Sequence, residues 1–135
     1  QLRLEARYRE NRYQRRSDGT IVGRQRIPRV KLEYQLARPL FIRLVGEYNA
    51  EQQDSLRDEQ RTGGVILING QRTRAEQTNT FRGDLLISFL PVPGTVFYAG
   101  YGSTMEGRRA FRFRNLERTA DGFFLKGSYL FRFGG

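Results

Sequence analysis

The 135-residue sequence contains no cysteine, no histidine and no tryptophan, and lysine occurs only at Lys31 and Lys126. Without cysteine or histidine the chain can form no disulfide, no thiolate nucleophile, no Ser-His-Asp triad and almost none of the transition-metal sites. Carboxylate chemistry alone would remain. We therefore expect no enzyme activity and no bound cofactor or metal.

Long hydrophobic runs are also absent, since no segment approaches the roughly eighteen apolar residues that a membrane-spanning helix needs. Apolar residues make up only 38% of the chain, whereas 13% are aromatic and 28% are charged. A transmembrane barrel has this mixture because half of each strand faces lipid and the other half faces a polar lumen. A chain of this kind would cross a membrane core as strands.

The charge is strongly one-sided, with a formal net charge of +10 at pH 7 and 24 basic residues of which 22 are arginine. Arginine binds phosphate and carboxylate groups in two-pronged fashion, so the excess indicates anionic partners such as nucleic acid or lipid phosphates. The simpler interpretation is that many arginines are solvated or paired with the 14 acidic residues.

Alternation of apolar and polar residues, the two-residue period of a strand, predicts the fold. Six segments show it: 2–8, 30–36, 40–48, 81–89, 95–102 and 123–133. In 95–102 both alternating sets contain apolar residues, so the pattern does not assign its faces. A seventh apolar run, at 65–68, precedes Asn69-Gly70, the favoured two-residue turn, and predicts a small hairpin.

The connections between these strands alternate in length. Long polar loops are expected near 14–26, 50–80 and 103–121, and tight turns near 37–39 and 91–94. Bacterial outer-membrane barrels have this asymmetry, with short periplasmic turns and longer outer loops.

Aromatic residues on the apolar sides of the strands fall near the strand ends. Tyr8, Tyr48, Phe81 and Phe123 lie toward the long loops, and Tyr34, Phe89, Phe131 and Phe133 lie toward the tight turns. Two such groups are typical of the aromatic girdles of a membrane barrel. A soluble sandwich could place them there by chance.

These patterns predict an all-β, antiparallel, up-and-down transmembrane β-barrel segment over residues 1–135. Known closed barrels start at eight strands, so we expect the C-terminal part of a larger barrel, or assembly with strands of another chain. Tyr129, Phe131 and Phe133 would form the closing-strand signal for the barrel-assembly machinery. Gln1 follows no initiator methionine or apolar leader, so we expect either a removed signal peptide or a longer chain.

Four stretches carry a family resemblance: 32–50 (L-E-Y-Q-L-A-R-P-L-F-I-R-L-V-G-E-Y-N-A), 54–68 with its R-D-E-Q-R-T, 91–103 (P-V-P-G-T-V-F-Y-A-G-Y-G-S) and 111–133. They resemble the extreme C-terminus of large bacterial proteins that join an N-terminal carbohydrate-binding family-nine-like domain to a C-terminal barrel domain of unknown function. The resemblance implies an outer-membrane barrel with the sugar-binding domain upstream of Gln1. The family offers no catalytic residues to assign here, and its glycan binding is not carried over to this chain.

The expected function is that of an integral outer-membrane barrel segment in a Gram-negative-type envelope. Its role would be structural, or porin-like as part of a pore or a receptor linked to glycan binding or uptake. The polar sides of the strands would line the lumen with Arg3, Arg7, Lys31, Glu33, Arg43, Glu47, Arg82, Asp84, Lys126 and Arg132. An acid–base pair among these carboxylates is conceivable, but carboxylates facing arginine and lysine are more often a structural charge network.

The arginine-rich segment 108–118 leaves three interpretations open. Arg108, Arg109, Arg112 and Arg114 could contact lipopolysaccharide phosphates, with neighbouring phenylalanines at the acyl boundary. Arginine interleaved with aromatics could instead hold single-stranded nucleic acid, or the segment could be a solvated strand extension. The competing function for the whole chain is accordingly a soluble, basic β-sheet module that binds nucleic acid or another polyanion.

Overall fold

The computed structural model describes residues 1–58, 60–109 and 116–131, and every regular element in these ranges is a β-strand. Six long strands form one antiparallel sheet in the order β1-β2-β3-β6-β7-β8. They are β1 (Leu2–Gln14), β2 (Ile21–Ala37), β3 (Leu40–Gln53), β6 (Glu76–Phe89), β7 (Thr95–Gly107) and β8 (Glu117–Tyr129). The predicted all-β architecture with six antiparallel strands is confirmed.

The remaining two strands, β4 (Leu67–Ile68) and β5 (Gln71–Arg72), form the small hairpin predicted inside the longest loop. Asn69 and Gly70 join them with φ angles of 51° and 77°. Both angles are positive, as the primed hairpin turns require, and asparagine and glycine tolerate them best.

Short and long connections lie at opposite ends of the sheet. Arg38-Pro39 joins β2 to β3 and residues 90–94 join β6 to β7, while residues 15–20, 54–75 and 108–116 form the other connections. The long loops are shorter than the expected ranges 14–26, 50–80 and 103–121. Backbone pairing continues through polar positions such as Arg12 opposite Arg24, because ladder hydrogen bonds do not require apolar side chains.

Cross-strand pairing places all the alternating apolar residues on one side of the sheet, because directly opposite residues share a face. One row crosses all six strands: Leu4, Leu32, Leu44, Leu85, Tyr101 and Phe123. We call this side the apolar face and the other side the polar face. The apolar face runs on β3 from Leu40 to Tyr48 and on β6 from Phe81 to Phe89.

Register also assigns the strand that the sequence pattern left open. On β7, Phe97 lies opposite Phe89 and Ala99 opposite Ile87, so both belong to the apolar face. Tyr98, opposite Ser88, belongs to the polar face.

The sheet is a single open layer in the described part of the chain. Tyr48 and Ala50 are the buried hydrophobic residues there, while Phe123 and Leu125 on the apolar face are 81% and 77% exposed. The accessible surface of 11054 Å² far exceeds the roughly 7300 Å² of a compact monomer of this mass. β1 and β8 each pair on one side only, so the sheet is not closed into a barrel.

Candidate functional site

The polar face carries an array of opposite charges built by the register of the first four sheet strands. One row contains Arg7, Arg29, Glu47 and Arg82, and the Arg29 guanidinium lies 3.4 Å from the Glu47 carboxylate. Glu47 lies between Arg29 and Arg82, and these opposite-charge pairs are favourable, whereas Arg7 and Arg29 are a like-charge pair.

Lys31 lies in the next row, directly opposite Glu5, and also reaches Glu33 in the row beyond. Its Nζ lies 3.2 Å from a Glu5 carboxylate oxygen and 3.4 Å from one of Glu33. Glu33 in turn lies opposite both Arg3 on β1 and Arg43 on β3. The carboxylates are therefore held among cations in a charge network.

The residues expected to line a lumen lie on this polar face wherever the structure describes them. They are Arg3, Arg7, Lys31, Glu33, Arg43, Glu47, Arg82, Asp84 and Lys126. Arg132 falls outside the described residues.

The polar face is concave. A hollow of about 710 Å³ is lined by Arg29 and Lys31 on β2, Arg43 on β3, and Gly122 and Phe124 on β8. β2 and β8 are four strand positions apart, about 19 Å along a flat sheet. One hollow touches both because the sheet curves with its charged side inward.

Small residues line this hollow on β7 and β8, where Gly102 lies opposite Gly122. The Phe124 ring covers Gly100, and a β-carbon on Gly102 would lie 2.9 Å from Oδ1 of Asp84. Sequence reasoning missed Phe124, and the available signal was the pair of glycines two residues apart on the same strand face.

At the long-loop end, Arg15 joins two connections that are distant in sequence. Its side chain is 2% exposed and donates to Thr20 Oγ1 at 2.7 Å, Asp54 Oδ2 at 2.8 Å and the Ser55 carbonyl at 2.9 Å. The hydrogen bond from Arg15 lowers the pKa of Asp54, and hydrogen bonds from Thr20 lower the pKa of Asp18. The sequence offered no local signal for Arg15.

A second group at this end, which we call the arginine cluster, consists of Arg12, Arg24, Arg26 and Glu10. Oε1 of Glu10 accepts hydrogen bonds from Nε of Arg12 and of Arg24 at 2.8 Å and from Nε of Arg26 at 3.5 Å. The Tyr8 hydroxyl donates to the other Glu10 oxygen at 3.0 Å. In the sequence these arginines are marked only by their share of the net charge.

The predicted anion-contact residues are described in part. Arg108 and Arg109 follow β7 and line a hollow of about 860 Å³ together with Thr78 and Glu106. Arg112 and Arg114 lie outside the described residues.

The predicted closing-strand signal is likewise only partly described. Tyr129 is the last residue of β8, and the Phe131 ring meets its ring edge-to-face with centroids 4.6 Å apart. Both side chains are exposed. Phe133 falls outside the described residues.

Within residues 1–58, 60–109 and 116–131, no group of three or more acidic side chains could hold a metal ion. The same ranges contain no helix that is long and apolar enough to span a membrane. No protein-family model, curated protein or solved structure matches the chain.

Proposed function

We propose that the chain is a segment of a bacterial outer-membrane β-barrel, with the apolar face turned to lipid and the polar face turned to the lumen. The observation that carries this proposal is the apolar face itself. It continues across six strands and stays largely exposed, with Leu2 and Leu4 on the first strand 63% and 65% accessible.

The height of the apolar face matches a bilayer. On β3 it runs from Leu40 to Tyr48, which at about 3.3 Å per residue is roughly 30 Å of strand. A tilt of about 40° reduces this to about 23 Å, close to the apolar band of roughly 25 Å seen in membrane barrels. Tyr8, Tyr48 and Phe81 mark one limit of the face, where girdle aromatics are expected.

Water would be an unfavourable environment for this surface. Soluble monomers rarely expose a contiguous apolar patch larger than a few hundred Å². A soluble sheet covers such a face with a second layer. In the described ranges the only other element is the small hairpin formed by the two-residue strands β4 and β5, which is too short to be that layer. The composition supports lipid as the environment of the apolar face.

The open edges of β1 and β8 indicate further strands. Unpaired backbone groups are not tolerated in lipid, so each edge must pair with another strand of the same or another chain. The partners that follow are outer-membrane lipid and lipopolysaccharide, the barrel-assembly machinery and those additional strands. A pore or receptor role is proposed from the family resemblance, in which any link to glycan binding or uptake would belong to the separate sugar-binding domain.

Single-cysteine substitution tests the proposal cleanly because the natural chain has no cysteine. Leu44→Cys and Ile87→Cys probe the apolar face, and their neighbours Arg43→Cys and Ser88→Cys are matched controls on the polar face. After folding into phosphatidylcholine vesicles, we expect lipid-bound nitroxides to quench a fluorophore at 44 and 87. A water-soluble maleimide should instead react at 43 and 88.

Equal quenching and equal maleimide labelling at positions 44 and 87 and at positions 43 and 88 would contradict the barrel-segment proposal. So would a folded chain that stays monomeric in buffer without detergent. In that second case the net charge of +10 favours the competing module, and binding to a polyanion with a steep dependence on salt would establish it.

A further inference from the structure

The open edge of β1 exposes the backbone groups of alternate residues. The Gln35 amide donates to the Gln1 carbonyl at 2.8 Å, and the Gln1 amino group donates to the Gln35 carbonyl at 3.0 Å. In an antiparallel pair, such doubly bonded positions alternate with positions whose backbone groups point away from the partner strand. The odd-numbered residues of β1 therefore bond to β2, and the N–H and C=O groups of the even-numbered residues, from Leu2 to Tyr8, point toward the open edge.

This edge is continuous. The ladder with β2 runs from Leu2 to Tyr13 without a register shift, and β1 contains no proline. Soluble sheets interrupt a long edge with a proline, a bulge or charged side chains, because an open ladder accepts foreign strands. Of these features β1 has charged side chains, which therefore decide which strand it accepts.

The charges along this edge are mostly of one sign. On the polar face β1 presents Arg3, Arg7 and Arg9, all exposed, beside the single carboxylate of Glu5. Glu5 already contacts Arg7 on its own strand and Lys31 on β2. A strand at the open edge would place its side chains about 5 Å from those of β1, where opposite charges stabilise the pairing and like charges destabilise it.

A second copy of this chain does not offer the matching charges. In the described sheet β8 is the other strand with an open edge. Its polar face carries Lys126 as the one charged residue between Ala120 and Ser128, and Glu117 at its long-loop end is the one acid on that side. The polar side of β1 itself carries the single acid Glu5. Either strand of a second copy therefore matches at most one of the three arginines.

We propose that the strand next to β1 lies outside these 135 residues and carries carboxylates on its polar side, facing Arg3, Arg7 and Arg9. Its other side would continue the apolar face beside Leu2 and Leu4, so its sequence signature is an alternation of acidic and apolar residues. This inference deepens the proposed function, which requires a strand at this edge and leaves the chemistry of that strand open.

Synthetic peptides test this edge in the full chain folded in dodecylmaltoside micelles. The acidic probe is E-V-E-V-T-V-E-V, capped at both ends, and the basic probe has lysine in place of each glutamate. Hydrogen exchange of the Leu4 and Ala6 amides reports occupation of the edge, and the Glu5 and Arg7 amides, which bond to β2, are internal controls. We expect the acidic peptide to protect the first two amides and to bind about thirtyfold more tightly than the basic peptide, because three cross-strand pairs change from opposite to like charge.

Two charge-matched variants separate the edge from the overall charge of the chain. The triple variant R3E/R7E/R9E should reverse the preference between the two peptides. The control R57E/R61E/R72E makes the same change in charge at exposed arginines of the long loop 54–75 and should keep the preference for the acidic peptide.

Four outcomes would overturn the acidic strand. Equal protection by the two peptides would mean that the edge accepts any strand, and equal effects of the two triple variants would mean non-specific attraction. Protection of the Leu4 and Ala6 amides that rises with the concentration of the chain alone would mean that a second copy occupies the edge. Protection by neither peptide would also remove the acidic strand, while the cysteine test in vesicles decides the barrel segment independently.

Discussion

The Phe124 ring on β8 covers Gly100 on β7, its direct partner in the strand register. A β-carbon added at position 100 would lie 2.5 Å from Cζ of that ring, closer than real β-carbons approach other atoms. Glycine is therefore the residue that lets an aromatic ring lie flat on the polar face. Phe124 also lines the hollow on the polar face.

Replacing Gly100 by alanine should displace the Phe124 ring and weaken the pairing of β7 with β8. We expect the free energy of unfolding to fall by about 1 kcal/mol, the scale of a cross-strand aromatic contact plus mild overpacking. Urea unfolding of the chain in phosphatidylcholine vesicles measures it.

Gly122→Ala is the matched control on the neighbouring strand, because no atom lies within 4 Å of the added methyl group. It should leave stability unchanged or raise it slightly. Gly100→Ala in a Phe124→Ala background should cost little, since the clashing ring is gone. Equal losses from the two glycine substitutions would contradict the role assigned to the ring.

Strand pairing explains which parts of this fold were readable from the sequence. On β1 and β2 one alternating set is apolar and the other is mostly charged, so the period of two was enough to assign the faces. On β7 both sets contain aromatics, and only the pairing of Phe97 with Phe89 decides between them. The strand ends were underestimated because polar residues such as Gln53 and Glu76 still pair through their backbones.

Contacts between distant parts of the chain limited how much of the candidate site could be predicted from the sequence. Arg15 and Asp54 are 39 residues apart, and no local pattern marks them as partners. Arg12 and Arg24 meet only because the first turn fixes their register. The alternating pattern predicted the charged side of the sheet, but the convergence of Arg12, Arg24 and Arg26 on Glu10 became visible only from the pairing.

Glu47 on the polar face separates two cations, since it lies opposite Arg29 on one side and Arg82 on the other. Glu47→Arg would create an unbroken row of like charges and should lower the free energy of unfolding by about 1 kcal/mol or more. The loss should shrink as salt rises from 0.05 to 0.5 M, because salt screens the partly exposed charges. Urea midpoints at the two salt concentrations measure both effects.

Glu106 provides a control of opposite sign on β7. It lies opposite Glu117 on β8, so Glu106→Arg replaces a like-charge pair by an opposite-charge pair and should not destabilise the sheet. A similar loss from both substitutions would show that the charge rows do not govern the effect.

Arg15 should be the residue that fixes the two connections at the long-loop end of the sheet. Arg15→Gln removes its charged hydrogen bonds to Asp54 and the Ser55 carbonyl, and we expect a local loss of about 2 kcal/mol. Hydrogen exchange of the Asp54 amide, which donates to the Val22 carbonyl at 2.7 Å, reports it. The adjacent and exposed Arg16 offers the matched variant Arg16→Gln, which should leave that amide protected.

The same pair predicts how this end of the molecule responds to acid. The Arg15 guanidinium, followed by the Ser55 amide, holds the pKa of Asp54 below its ordinary value of 3.8. A carboxylate with a lowered folded-state pKa stabilises the fold fully above its unfolded pKa, and this contribution is lost as the pH falls through the folded pKa. We therefore expect the connections at 15–20 and 54–58 to open below pH 3.8 while the amide protection at the centre of β3 persists. Carbon-13 NMR titration of the Asp54 carboxyl checks this directly, because its pKa should rise in Arg15→Gln and stay low in Arg16→Gln. An Asp54 pKa that is the same in both variants would rule out Arg15 as the cause.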